Sequence, residues 1–400
     1  MTTPASPSRR RAYSGPALFS YGFRPFFLAG AAWAAIGIIL WVLQYSGVLG
    51  FPAAFSPLDW HIHEMLFGYV AAVIAGFLLT AIPNWTGRLP ISGAPLAALA
   101  TLWLAGRIAV LASGTLGLAL AAAIDLSFLL TLAAVAAREI VAGNNWRNLR
   151  VLAVLGVLIA GNAVFYLEVQ TYGAGNYGIR LALAAVIVLI MLIGGRIVPS
   201  FTHNWLARQG DGRLPVPFSR FDAVCLGTSV LALVLWVAWL SGIVVGALLM
   251  LAGVLHFARL ARWAGDRTVA DRLVLILHVG YLFVPIGFVL LGAAMLWPAS
   301  VPSSAGIHAW TVGAIGIMTL AVMTRASLGH TGQKLAATPA TQLIYAFALL
   351  AVATRIIGAF EPSIALMYVA GLAWFAAFAG FCVVYGPLLL SRPPASKIGC

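Results

Sequence analysis

The chain has 400 residues, of which 62% are hydrophobic and only 8% are charged, and its formal net charge is +13. A soluble domain carries about 25% charged residues, so this composition excludes an ordinary soluble protein. The positive balance is expected of a membrane protein, whose cytoplasmic loops collect Lys and Arg, and we therefore predict no nucleic acid partner.

Long apolar runs predict an all-α polytopic membrane protein with about twelve transmembrane helices, because each crossing needs ~20 apolar residues. Only helices and closed barrels satisfy their backbone in lipid, and these runs are continuous rather than alternating. We expect one domain, 1–400, with cytoplasmic tails at 1–24 and 391–400. Pro and Gly clusters separate the spans, and Pro83 is expected to end the second one. The predicted spans are 26–45, 57–82, 95–113, 117–137, 151–170, 178–198, 221–240, 243–260, 272–297, 305–324, 338–357 and 363–390.

The cations predict the orientation of these helices. With the N-terminus in the cytoplasm, all 23 Lys and Arg residues except Arg107, Arg180 and Arg355 fall in cytoplasmic segments. This is the positive-inside pattern, and one helix more or fewer would destroy it. Both termini are therefore predicted to be cytoplasmic.

The sequence predicts where the second helix begins. Residues 56–59 read as a capping box with Pro57 at the first helical position, so the helix is already formed at His61. Residues two apart on a helix point about 200° apart, so His61 and His63 should not bind one metal together.

Two imidazoles and a carboxylate at a membrane entry point are costly to desolvate and need an explanation. We predict that His61, His63 or both bind a metal or haem. Glu64 shares a helix face with His61 and is the candidate for passing protons to a bound substrate. The alternatives are an interfacial histidine beside Trp60 and, for Glu64, a first-turn acid that the helix dipole favours.

Two further histidines lie on predicted helices. His308 begins helix 10 at the same membrane surface as His61, so the two could reach a common haem or metal, as bundle cofactors do. His278 lies about 9 Å from the cytoplasmic surface, by helix rise, and is either a ligand or a satisfied core residue. His278 and His308 are then too far apart to share one metal. Either there are two centres or one depth is misjudged.

The cytoplasmic ends of helices 6 and 10 hold the remaining candidates. Arg196 follows two glycines and is predicted to bind an anion such as a haem propionate, unless it is only a topogenic charge. Arg325 is open to the same two interpretations. His330 is a possible ligand in a cytoplasmic loop, whereas His203, also expected in a loop, is predicted to be solvated.

Two opposite charges fall inside the bilayer at matching depths. Arg107 on helix 3 and Asp125 on helix 4 lie on helices joined by only a few residues. An unpaired charge there costs several kcal/mol, so we predict a salt bridge between them.

Several motifs together resemble the NnrS family of bacterial inner-membrane proteins. They are Gly-Phe-Arg-Pro-Phe-Phe at 22–27, Trp-His-Ile-His-Glu-Met-Leu-Phe-Gly at 60–68, the segment 76–85, Gly-Gly-Arg at 194–196, Leu-His-Val-Gly-Tyr at 277–281 and the run from His308 to Gly332. The family is described as containing haem and copper and is linked to nitric oxide. The resemblance implies b-type haem, copper, and nitric oxide as ligand or substrate. It implies location in the bacterial inner membrane. It favours His61, His63, His278, His308 and His330 as metal ligands over His203 and His256.

The first functional hypothesis is a haem and copper membrane protein that binds nitric oxide and reduces it, relieving nitrosative stress. Two nitric oxide molecules, two electrons and two protons yield nitrous oxide and water, so turnover needs an electron donor, which is unknown, and a proton route. The alternatives are a secondary transporter and a metal-handling or sensing protein without turnover. No paired Gly/Pro-broken helices are visible in the two halves, which weighs against the transporter.

Overall fold

The computed structural model describes residues 13–238 and 242–392, and twelve helices within them are long and apolar enough to cross a membrane. This confirms the predicted all-α class and number of spans. The outer parts of both predicted tails and the predicted end of helix 7 at 239–240 lie outside the described residues. In chain order the helices are α1 Phe23–Tyr45, α2 Pro57–Thr86, α3 Ala94–Leu111, α4 Leu118–Ala142, α5 Trp146–Tyr172, α6 Tyr177–Leu206, α7 Arg220–Val237, α8 Ile243–Ala261, α9 Arg272–Leu296, α10 Ser303–His330, α11 Pro339–Phe360 and α12 Ile364–Leu390.

Consecutive helices run antiparallel and approach closely at small residues. On α9, Gly280 packs against Met318 of α10, and Gly306 of α10 packs so tightly on α9 that a Cβ would lie 2.7 Å from the Leu291 backbone nitrogen. Small residues allow such approaches, which hold membrane helices together. The bundle therefore has two ends. We name the one where α1 begins and α2 ends the cation-rich end, and the other the opposite end.

The proline break expected at Pro83 does not occur, and α6 extends beyond its predicted end at residue 198. Helix α2 continues through Pro83 to Thr86 and ends at Gly87. The φ of Gly87 is 70°, a left-handed conformation that glycine adopts readily because it has no Cβ. Helix α6 likewise continues through Pro199 to Leu206. Membrane helices tolerate proline where neighbouring groups satisfy the freed carbonyl. The expectation that His203 and His330 lie in loops is therefore wrong, because they belong to the last turns of α6 and α10.

The N-cap of α2 is Ser56, as predicted, but the Asp59 carboxylate bonds the Ser56 hydroxyl and not the Ser56 backbone N–H that a complete capping box would use. The Ser56 hydroxyl accepts a hydrogen bond from the Asp59 backbone N–H at 3.1 Å, and the helix is formed at His61. The Asp59 carboxylate accepts from the Ser56 hydroxyl at 2.6 Å and from the Gly175 backbone N–H at 3.2 Å. The cap thus also ties α2 to the connection between α5 and α6.

Three of the helices carry a π-helical segment within the described residues: Glu64–Val70 in α2, Ile190–Gly194 in α6 and Ala309–Ile317 in α10. Side chains satisfy carbonyls in two of them. Trp103 donates to the Gly68 carbonyl at 2.9 Å, and Arg259 donates to the Met191 carbonyl at 3.2 Å. Such segments occur frequently at functional sites. These three helices meet around one cavity.

Candidate functional site

A cavity of about 500 Å³ lies near the opposite end and is lined by residues of α1, α2, α6, α7, α9, α10, α11 and α12. Pockets for cofactors and small ligands typically enclose roughly 300–1,000 Å³. The walls are mostly apolar and include the aromatic rings of Trp41, Tyr69 and Trp374 with the thioethers of Met65 and Met367. The volume and the lining suit a largely apolar molecule.

Two of the predicted histidines, His61 and His308, line this cavity. They begin α2 and α10, as expected for histidines at one depth, and lie close enough for electrostatic interaction. The His61 ring stacks on Trp41 with 4.3 Å between centroids, and its Nδ1 is buried without a hydrogen-bond partner in the described part of the chain. A buried imidazole nitrogen left without a partner is costly unless a ligand takes it up.

His308 is held in one tautomer. Its Nδ1 lies 2.6 Å from the Ser304 carbonyl oxygen, one turn earlier on α10. A carbonyl only accepts, so Nδ1 carries the proton and donates it, which leaves the lone pair on Nε2. Metal-binding histidines usually donate their other ring N–H to a carbonyl or carboxylate in this way.

Arg180 and Arg355 also line the cavity, and its lining contains no Asp or Glu. Arg180 donates to the Trp236 carbonyl at 2.9 Å and lies over the Trp236 ring. Arg355 lies close enough to both cavity imidazoles for electrostatic interaction. The cavity is therefore complementary to an anionic group.

Sequence reasoning missed these two arginines, although a signal for them was present. They are two of the three cations that do not follow the positive-inside pattern, and the third, Arg107, lies in a buried ion-pair network. Arg107 and Arg180 are held by specific interactions, and Arg355 lines the cavity, so each exception has a place in the bundle that topology does not explain.

Arg196 and Arg325, the arginines predicted to bind a cofactor, lie at the cation-rich end and do not line this cavity. Arg196 donates to the Asn148 side chain at 3.2 Å. Arg325 lies over the Phe201 ring at 4.2 Å, and its Nη1 has no hydrogen-bond partner among the described residues.

His63 points away from the cavity. Its Nδ1 lies 3.0 Å from Glu64 Oε1, and its Nε2 lies 3.1 Å from Asn162 Oδ1 and 3.3 Å from Asp125 Oδ2. Because the Asn162 amide nitrogen donates to Asp125, its oxygen faces His63 and accepts. Both His63 nitrogens therefore donate, and neither has a lone pair for a metal. His61 and His63 therefore face different surroundings and do not converge on one position, as their spacing predicted.

Glu64 and Arg107 complete this network, and the predicted salt bridge between Arg107 and Asp125 is present. Arg107 Nη1 donates to Glu64 Oε1 at 2.7 Å, while Trp33 Nε1 donates to Glu64 Oε2 at 2.6 Å. All of the ionic members are buried. Two carboxylates balance one guanidinium and one doubly protonated imidazole, so the network is neutral. We call it the buried ion-pair network: Glu64, His63, Arg107 and Asp125.

His278 and His330 lie near the cation-rich end, apart from the cavity. His278 donates from Nε2 to the Thr202 hydroxyl at 2.7 Å, since that hydroxyl itself donates to Val198, and its buried Nδ1 has no partner among the described residues. His330 ends α10, is exposed, and packs against the rings of Tyr21 and Phe23. His278 and His308 are thus not brought together.

The other histidine of the core, His256, is satisfied by its neighbours. Its nitrogens lie 3.0 Å from the Ser229 hydroxyl and 3.0 Å from the Tyr281 hydroxyl. No group of three or more His, Cys, Asp or Glu side chains is arranged to hold a metal ion in residues 13–238 and 242–392. The predicted copper centre therefore has no preformed cluster of protein ligands in that part of the chain.

Fold and site together define a twelve-helix membrane protein with a histidine-lined cavity of cationic character. The chain belongs to the NnrS family, whose description is "NnrS protein" and which matches residues 17–392, nearly the whole length. The resemblance found in the sequence motifs is thereby confirmed, and membership links the chain to nitric oxide-related function. No curated protein matches the chain.

Proposed function

We propose that the cavity holds a b-type haem and that the protein binds nitric oxide there, relieving nitrosative stress. One observation carries the proposal: His308 and His61 line one cavity together with two arginines and no acid. His308 has its lone pair on Nε2, and the buried Nδ1 of His61 has no partner among the described residues. Imidazole is the common haem ligand, and guanidinium matches carboxylate geometry.

Different residues of the cavity would bind different parts of the haem. His308 and His61 are the candidate iron ligands, and Arg180 and Arg355 would bind the propionates. Trp41 fixes the His61 ring by stacking, and the mostly apolar walls would contact the faces of the haem ring. Bound haem would supply an iron that coordinates nitric oxide when only one of the two imidazoles is bound to it.

Reduction of nitric oxide needs protons as well as electrons. Glu64, the predicted proton relay, is held by Arg107, His63 and Trp33 and does not line the cavity. Because the described lining of the cavity contains no acid to deliver protons, the structure supports binding of nitric oxide more directly than its reduction. Reduction, with an electron donor yet to be found, stays a prediction, as does the copper site, for which His278 Nδ1 is the best unpartnered nitrogen.

A transporter for a small anion is the second candidate. The cationic lining and the π-helical interruptions of α2, α6 and α10 around the cavity favour it. Interrupted helices are common at transporter binding sites.

The test is the visible absorption spectrum and haem content of purified full-length protein and of the variants His308→Ala and His61→Ala. The control is His203→Ala, which removes an exposed histidine at the other end. We expect bound haem in the wild type, a Soret shift with nitric oxide, and loss of haem in the two cavity variants alone. A folded, colourless wild type that carries anions into liposomes would establish the transporter instead.

A further inference from the structure

A second concavity lies on the lipid-facing surface at the cation-rich end. It is a groove of about 760 Å³ between α3, α4 and the connection that covers residues 87–93. Its floor is apolar and includes Leu99, Leu102 and Val135, and the exposed residues Ala98 and Thr131 border it. The groove is distinct from the histidine-lined cavity and contributes nothing to the proposed function.

Three charged side chains stand at the groove. Glu139 is buried and pairs with two arginines: Arg138 Nη2 lies 2.7 Å from Glu139 Oε1, and Arg88 Nε donates to Glu139 Oε2. The arginine side chains are 67% and 45% exposed, respectively. The buried carboxylate thus holds two accessible guanidiniums side by side.

The pairing with Glu139 leaves a positive net charge and unused N–H donors on the two arginines. Two guanidiniums and one carboxylate sum to a net charge of +1. Each guanidinium has five N–H donors, of which Glu139 engages only one or two. Ser92 adds a hydroxyl to the lining. Two guanidiniums with N–H donors that Glu139 does not use therefore stand side by side at the groove.

We propose that the groove binds one anionic phospholipid, with its phosphate on Arg88 and Arg138 and an acyl chain along the apolar floor. Arginine forms strong paired hydrogen bonds with phosphate. Basic pockets between transmembrane helices bind anionic lipid headgroups. An apolar floor that continues directly from the paired arginines fits a lipid, whereas a soluble phosphate would leave it uncovered.

The experiment offers detergent-solubilised full-length protein an equimolar mixture of phosphatidylglycerol and phosphatidylcholine with the same acyl chains, and native mass spectrometry counts the retained lipid. We expect the wild type to retain phosphatidylglycerol preferentially, and both Arg138→Gln and Arg88→Gln to reduce that retention several-fold. Arg272→Gln is the matched control, because Arg272 is exposed at the same end but outside the groove.

A second variant tests the acyl contact without changing charge. Val135→Trp fills the floor and should also reduce retention of phosphatidylglycerol, which keeps the proposal testable if an arginine variant fails to fold. Excess inorganic phosphate should not displace the lipid. Equal retention of both lipids by the wild type, an equal loss in Arg272→Gln, or displacement by phosphate would overturn the proposal.

Discussion

Arg107 on α3 donates a 2.7 Å hydrogen bond to Glu64 on α2, and both side chains are shielded from solvent. Glu64 is the first residue of the π-helical segment of α2, and the next residue, Met65, lines the cavity. The acid that follows the two histidines in the sequence is therefore bound behind the cavity wall. Its place in the ion-pair network makes it a support for α2.

The Arg107–Asp125 pair should show strong energetic coupling. Asp125→Asn removes one of the two carboxylates that pair with the buried Arg107 guanidinium. It should destabilise the protein by about 3–5 kcal/mol, the usual cost of breaking a buried pair. Adding Arg107→Gln should cost much less than the sum of the two single changes. Thermal unfolding in detergent measures the cycle.

The exposed pair of Arg213 and Asp266 is the control for that cycle. Asp266→Asn should change stability by less than about 1 kcal/mol, because surface ion pairs contribute little. Strict additivity at Arg107 and Asp125 would show that the two charges do not interact.

Substitutions of His61 and His63 should have different effects on haem content and stability, although the two residues are only two positions apart. His63→Ala removes both donors to Glu64 and Asn162 and should lower the unfolding temperature without removing haem from the protein that remains folded. His61→Ala should remove haem and alter the unfolding temperature of the haem-free protein little. Haem content and unfolding temperature are measured on the same samples; one variant losing both, or neither, would contradict this division.

The cavity arginines should determine haem affinity. A hydrogen bond to a charged group contributes about 1.5–3 kcal/mol, so Arg180→Gln and Arg355→Gln should each weaken haem binding by roughly tenfold or more. Titration of haem into haem-free protein measures this. Arg196→Gln, at the other end of the bundle, should bind haem as the wild type does, and an equal loss there would point to a nonspecific effect of charge.

Gly68 should be intolerant of a side chain. A Cβ at this position would lie 2.7 Å from Arg107 Nη1 and 2.9 Å from Trp33 Nε1, inside the ion-pair network. Gly68→Ala should therefore destabilise the protein by about 1–3 kcal/mol through overpacking. In Gly156→Ala, on the open face of α5, the added methyl meets nothing within 4 Å, so the higher helix propensity of Ala should be neutral or stabilising. Unfolding temperatures that rank the two variants in the reverse order would refute this account.

Several features follow from local sequence alone. Apolar runs of sufficient length predict the twelve spans, because a helix must satisfy its own backbone in lipid. The two-residue spacing of His61 and His63 predicts their separation, and matched depth on neighbouring helices predicts the contact of Arg107 with Asp125. Each of these depends only on helix geometry within one or two adjacent segments.

The site itself depends on segments far apart in the chain. The neighbours of α2 determine which of its faces meets the cavity and which meets the ion-pair network, and its π-helical segment shifts the register of the residues that follow. Arg180 and Arg355 reach the cavity from α6 and α11, and no local pattern places them beside His308. A periodic pattern specifies directions around a single helix axis, whereas this cavity requires the relative rotation of eight such axes, which only the packing of the complete bundle determines.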